Sequence, residues 1–326
     1  MPFPLFSLHS YLCIAAQARP TAPARRLIFW TRVAAALTLS VTLGAAQPGP
    51  GSYAASIERL DPFDTTGLDS GVANVLRNYY ERTFTDAETW AAVESLRFDG
   101  ELHFSEESFA FSAFKKKPNL SKVVLRIGER HQLVMGYDGH RAWQLDTRKS
   151  ILASKMPEAE ARNFIRDATT GGHLLYPGIE GKTIELLGIT QLDEERAYEL
   201  RITLPDGQVI RSFLDMNSFA EVQQITINNV SGDEERVRHG NFRIVEGIRI
   251  PFTSTRFVDG ELVHETRIDE VRANQGTARW MFRMPPVDSE STAESAPPDA
   301  GDTSEAIGSE SLDPGTPRSF FDFDIE

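Results

Sequence analysis

The amino-acid sequence predicts one domain of mainly antiparallel β-structure with added helices. It reads as a sheet of about ten strands, too wide to stay flat, that curls around two or three helices on its concave side. Three observations predict it. Apolar and polar residues alternate with period two from Leu96 onward. Turn pairs separate consecutive alternating runs at Asp138-Gly139, Asp206-Gly207, Glu246-Gly247 and Asp259-Gly260, where glycine accepts the positive φ of a tight hairpin. Helical spacing of three and four is confined to residues 68–97 and 156–175.

Taken in order, residues 1–46 read as an N-terminal extension and a secretory signal. Arg25, Arg26 and Arg32 precede the apolar run Val33-Ala-Ala-Ala-Leu-Thr-Leu-Ser-Val-Thr-Leu43, and Gly44 and Ala46 are the small residues before a cut after Ala46. The run is shorter than the roughly 20 residues that span a bilayer, although Leu27-Ile28-Phe29-Trp30 upstream could lengthen it into an uncleaved anchor in the inner membrane. Residues 47–68 read as a linker. Val72, Val75, Leu76, Tyr79 and Tyr80, then Ala87, Trp90, Ala91 and Val93, mark one or two amphipathic helices, capped by Asp69 or Ser70 and by Thr85 or Asp86.

From Leu96 the period is two, in Leu96, Phe98, Leu102 and Phe104, in Phe109 and Phe111, and in Val123, Leu125 and Ile127. The hairpins then follow one another as a meander. It is interrupted at residues 156–175, where Ala159, Phe164 and Ile165 suggest a helix ended by Thr169-Thr-Gly-Gly172. Residues 286–326 are rich in Ser, Pro, Asp, Glu, Gly and Thr and cannot bury enough apolar surface to offset their ordering entropy, so they read as a disordered acidic tail. Its end, Phe320-Phe321-Asp322-Phe323-Asp324-Ile325, could dock on a partner or simply fray.

Charge follows the same division. Of the 326 residues, with formal net charge -13, residues 1–47 hold four arginines and no acid, whereas residues 285–326 hold eleven acids against Arg318. The middle is nearly balanced, and the absence of a basic surface argues against nucleic acid as a partner. One cysteine, Cys13, forms neither an intrachain disulfide nor a thiolate metal cluster.

The residues supply no catalytic constellation. G-x-S-x-G, H-E-x-x-H, the P-loop and G-x-G-x-x-G are all missing. His103, His131, His140, His173, His239 and His264 sit singly, and only His131 and His140 could meet, across the Asp138-Gly139 hairpin. Glu106-Glu107 and Asp193-Glu194-Glu195 fall in turns, and Lys115-Lys116-Lys117-Pro118 reads as a hairpin loop. No enzyme, cofactor or metal is expected, and a curled sheet with one apolar face instead makes a hydrophobic-ligand cleft.

Several segments together resemble the outer-membrane lipoprotein-sorting family of periplasmic, LolA-like lipoprotein carriers. They are Leu133-Val-Met-Gly-Tyr-Asp-Gly-His-Arg-Ala-Trp143, Ile184-Glu-Leu-Leu-Gly188, Ala197-Tyr-Glu-Leu-Arg-Ile-Thr-Leu-Pro-Asp-Gly207 and Phe242-Arg-Ile-Val-Glu-Gly-Ile-Arg-Ile-Pro-Phe252. The resemblance spans residues 69–285 and implies an incomplete barrel wrapped round helices, a half-barrel whose apolar interior shelters acyl chains. By alternation phase the candidate lining is Leu102, Phe104, Leu125, Ile127, Leu133, Met135, Trp143, Leu200, Ile202, Phe213, Ile225 and Ile227. The expected function is a monomeric periplasmic carrier or binding protein for lipid or lipoprotein acyl chains. The alternative is an envelope interaction module whose cleft is filled by its own helices and whose acidic tail recruits a protein partner.

Overall fold

The computed structural model describes residue 57, residues 59–227 and residues 232–285. The signal, most of residues 47–58 and the acidic tail lie outside the described residues. Among the described residues are α1 (Ser70–Thr83), α2 (Ala87–Ala92), α3 (Glu158–Asp167) and a 3₁₀ turn, Arg279–Phe282. No helix among them is long and apolar enough to cross a membrane.

The helix starts follow side-chain chemistry. Asp69 Oδ1 accepts from the amides of Gly71 and Val72 at the head of α1, and Asp86 Oδ1 accepts from Thr89 N at 2.6 Å at the head of α2. α3 ends at Asp167, and Gly171 and Gly172 follow with φ of 100° and 83°.

Among the described residues the strands number thirteen rather than about ten. They are β1 (Ser95–His103), β2 (Ser108–Lys116), β3 (Leu120–Ile127), β4 (His131–Tyr137), β5 (Ala142–Asp146), β6 (Ser154–Lys155), β7 (Thr183–Leu192), β8 (Glu195–Thr203), β9 (Val209–Asp215), β10 (Glu221–Ile227), β11 (Glu234–Val245), β12 (Ile248–Val258) and β13 (Glu261–Ala273). All belong to one antiparallel sheet in the order β6-β5-β4-β3-β2-β1-β13-β12-β11-β10-β9-β8-β7. The fold is therefore two meanders, β1–β6 and β7–β13, sewn together where β1 pairs β13. The sheet does not close, since β6 and β7 are its edges. The four expected turns fall at hairpins, with Gly139, Gly207, Gly247 and Gly260 at φ between 74° and 93°.

This order forces one connection to run from edge to edge. The chain leaves β6, forms α3 and residues 168–182, and begins β7 on the far side of the sheet. Phe164, Ala168, Leu174, Leu175, Tyr176 and Ile179 from this connection join the main apolar core. So do Val72, Val75, Leu76, Tyr79 and Tyr80 of α1, which packs on β7 and β12. Of the stretch expected as a linker, Ile57 is buried in the same core, with Leu60, Phe63 and Leu68 against it.

Candidate functional site

Register identifies the face of the sheet that the helices cover. Leu102, Phe109 and Phe111 lie inward with Leu125, which pairs Phe111, and with Leu133, which pairs Leu125. On the other meander Leu200 pairs Leu186 and Ile202 pairs both Ile184 and Ile210. Leu102, Leu125, Leu133, Met135, Leu200 and Ile202 are all buried in the main core, and Phe104 and Ile127 pack at its margin. Eight of the twelve sequence candidates are thus brought together on one face.

The other four are not. Trp143 joins Val134, Leu145 and Ala153 in a small cluster on the opposite face, and its Nε1 donates to Phe282 O at 2.8 Å. Phe213 and Ile225 form another outer cluster with Ala197. Ile227 is 46% exposed. The physical reason is that the larger apolar side chains of β5 and β10 lie on the outer face, with Gln144, Gln224 and Thr226 inward, while β9 is apolar in both phases. Ile210 and Leu214 face the core while Phe213, between them, faces out, so alternation alone cannot say which phase faces inward.

The lysine run is not a solvated loop. Lys115 is an inward strand residue, buried, with Nζ donating to Asp167 O at the end of α3. Lys117 Nζ lies 4.0 Å from the centre of the Trp90 ring and donates to Trp90 O. Burial drives both ammonium groups down to about 8, opposed by Asp167 for Lys115 and by Glu94 for Lys117. Farther along the connection Lys182 Nζ donates to Leu175 O at 2.6 Å, and burial lowers it to about 7. Burial would raise Asp167, but Arg166 at 3.1 Å and His173 at 3.6 Å outweigh it and hold the carboxyl at about 2. These bonds, with Thr170 N to Pro118 O at 2.9 Å, fasten residues 167–182 over the core.

A crevice of about 510 Å³ opens where this core reaches the surface, between Ile57, Leu60 and Phe63 on one side and Trp90, Lys117 and Tyr176 on the other. Its size suits a small apolar ligand. His131 and His140 are both exposed but do not meet as expected, since His131 pairs Ile127 at the β3–β4 turn and His140 lies beyond the other end of β4. Among the described residues no three His, Cys, Asp or Glu side chains are grouped to hold a metal.

Sequence reasoning missed one part of the inner face. On β11, β12 and β13 the inward positions turn polar: Glu235 and His239, Ser254 and Arg256, His264 and Thr266. The signal was available. Ile248, Ile250 and Phe252 fix the inward phase of β12, and continuing it by twos points Ser254 and Arg256 into the core.

No protein-family model matches the chain, and no curated protein matches it. Its fold is similar to three solved structures. One is a DUF1329 family protein from Desulfovibrio piger, with TM-score 0.48 and 11% identity over 65% of this chain and 97% of that one. The second is a LolA superfamily protein from Nitrosomonas europaea, with TM-score 0.45 and 14% identity over 65% and 97%. The third is a domain described as outer membrane lipoprotein-sorting from Vibrio parahaemolyticus, with TM-score 0.44 and 11% identity over 65% and 97%.

Proposed function

We propose that the protein is an exported periplasmic binding protein that shelters the acyl chain of a lipoprotein or another amphiphile, without catalysis. One observation carries this reading. The inner face of an unclosed sheet presents an apolar surface on each meander, including Leu102, Leu125, Leu133 and Met135 on one and Leu200 and Ile202 on the other, whose cover is helices and the edge-to-edge connection rather than a second sheet. A chain of roughly fifteen methylenes gains about 0.8 kcal/mol per buried group, on the order of 12 kcal/mol. That gain is set against the apolar packing and hydrogen bonds that hold the cover, including those of Phe164, Leu174 and Leu175.

The same burial supports a second reading. With these side chains already packed, the cleft is filled by its own helices and the protein acts as an envelope interaction module, its acidic tail recruiting a partner. Native mass spectrometry of protein taken from its own periplasm, with titration of a fluorescent long-chain fatty-acid probe, separates the two. The carrier reading expects bound lipid or saturable probe binding that survives deletion of residues 286–326. Absence of both sinks it and leaves the interaction module.

A further inference from the structure

The β5–β6 loop holds apolar side chains out in water on a braced support. Ile151 is 88% exposed and Leu152 45%, next to each other at the edge where β6 ends the sheet. The loop is tied at its base. Thr147 N donates to Gln132 O at 3.0 Å, and Thr147 Oγ1 accepts from Gln132 N at 2.8 Å. The amides of Lys149 and Ser150 both donate to Asp146 O at 2.9 Å, and Leu152 N donates to Ser150 Oγ at 2.9 Å. Ala153, the next residue, is buried in the outer cluster with Trp143. A lone exposed apolar residue is ordinary, so the surroundings decide what this pair is for.

Charge sets this corner apart. Residues 120–156 hold seven Lys and Arg against three acids, whereas in the rest of residues 57–285 thirty-three acids stand against twenty-two Lys and Arg. Lys149 and Lys155 flank the tip, and the Thr147 bonds bring the β3–β4 turn with Arg130 alongside; all three are exposed. Asp146 is held by Arg148 at 2.8 Å and lies 3.6 Å from Lys149, which Glu160 of α3 also faces. The surplus stays positive when Glu158 and Glu160 are counted with the corner. Leu262, 64% exposed, makes the contrast, since Asp259 and Glu261 precede it. A tip of two residues offers far less than the roughly 800 Å² that each partner of a stable protein interface buries. A bilayer asks for less: aliphatic side chains enter the acyl boundary, and nearby Lys and Arg are drawn to an anionic surface.

We propose that the β5–β6 loop docks the protein on an anionic lipid bilayer, with Ile151 and Leu152 entering the acyl boundary while Lys149, Lys155 and Arg130 meet the headgroup phosphates. Docking of this kind is independent of what the cleft holds. The full chain carries an environment-sensitive fluorophore at Ile151→Cys in a Cys13→Ser background, and vesicles of mixed phosphatidylglycerol and phosphatidylcholine, or of phosphatidylcholine alone, are titrated in. The label reports the tip itself rather than lipid binding by residues 1–46. Its emission is expected to shift to the blue with the anionic vesicles, at a lipid concentration at least about tenfold below that needed with phosphatidylcholine. Lys149→Glu with Lys155→Glu, or Leu152→Ser, should each raise the anionic lipid needed by at least about fivefold. The same label at Leu262→Cys should not shift.

No shift at residue 151 with anionic vesicles overturns the proposal, as does an equal response to both kinds of vesicle or an equal shift at residue 262. A shift of the same size from soluble polyglutamate without lipid would assign the tip to an acidic protein instead. One that grows with protein concentration alone would assign it to a second copy of this chain. Either result overturns the bilayer as the partner.

Discussion

Trp143 lies across Gly136 on the outer face of the β4–β5 hairpin, so closely that a Cβ on Gly136 would stand 2.3 Å from the indole ring. The two residues are register partners, and the indole nitrogen reaches on to Phe282 O. The glycine makes room for the ring, and the ring pins the segment that follows β13. The residues 133–143 that carry the family resemblance therefore hold an architectural device on the side away from the cleft.

Gly136→Ala should cost about 1–3 kcal/mol through overpacking, and Trp143→Ala about 3–5 kcal/mol through the cavity it leaves. Urea denaturation measures both. Fatty-acid probe affinity should be unchanged in whatever fraction remains folded, and a selective loss of binding in either variant would place Trp143 in the site after all.

The inner and outer candidates should separate by mutation. Leu125→Ala and Leu133→Ala, in the main core, are each expected to lose about 2–5 kcal/mol of stability and to weaken probe binding. Ile227→Ser, at a half-exposed position, should stay within about 0.5 kcal/mol and bind normally. Equal effects from the two sets would contradict the assignment of faces.

The seam between the meanders has its own weak point. Gly100 sits opposite Ile268 at a β-bulge, and a Cβ there would lie 2.1 Å from the carbonyl oxygen of Arg267. Backbone cannot give as a side chain does, so Gly100→Ala should be more damaging than Gly136→Ala. Amide hydrogen exchange should show the loss of protection concentrated in β1 and β13, and protection lost evenly over the sheet would argue against a local seam.

Two buried groups set opposite pH slopes. Burial pushes Glu221 up to about 7 from its ordinary 4.5, against the bond it accepts from the Ser212 hydroxyl. Between those values the folded state holds more protons than the unfolded chain, and stability falls as pH rises. Lys182 is held down at about 7 from 10.5, so above pH 7 the unfolded chain holds more protons and stability recovers toward pH 10.5. Their joint effect is a trough near neutrality in the denaturation midpoint. Glu221→Gln should flatten the acid limb, and Lys182→Met should reduce the alkaline one, to which Lys115 and Lys117, held down at about 8, also contribute. A profile that stays unaltered in both variants would assign the trough, or its absence, to other groups.

The antiparallel class, the helix caps and the four glycine turns were all readable, because each depends on local chemistry that a few neighbouring residues determine. The strand count was not, since the two-residue β6 carries no periodicity of its own. The pairing of β1 with β13 joins residues as far apart as Leu96 and Ala273, and no local pattern announces a contact at that distance. The site was readable where one phase is polar, as at Leu125 and Leu133 with Lys122, Arg126 and Gln132 between and beside them. It failed at Trp143, where the larger apolar side chains of β5 lie on the outer face, and at Phe213, where apolar side chains pack on both faces. The inward Arg256 went unread because charge on a strand is ordinarily taken to face water.

The strand order has a further consequence for how the chain comes together. Each meander can zip up through neighbouring hairpins, but the sheet becomes one object only when its first strand finds its last. A circular permutant that linked residue 285 to residue 57 and opened the chain within residues 168–182 would read β7 through β13, then α1, α2 and β1 through β6. Every strand would then neighbour its successor, the one distant pairing would be closer in sequence, and refolding should quicken accordingly. The natural order forgoes that speed, and in return the segment lying across the cleft is tethered at both of its ends.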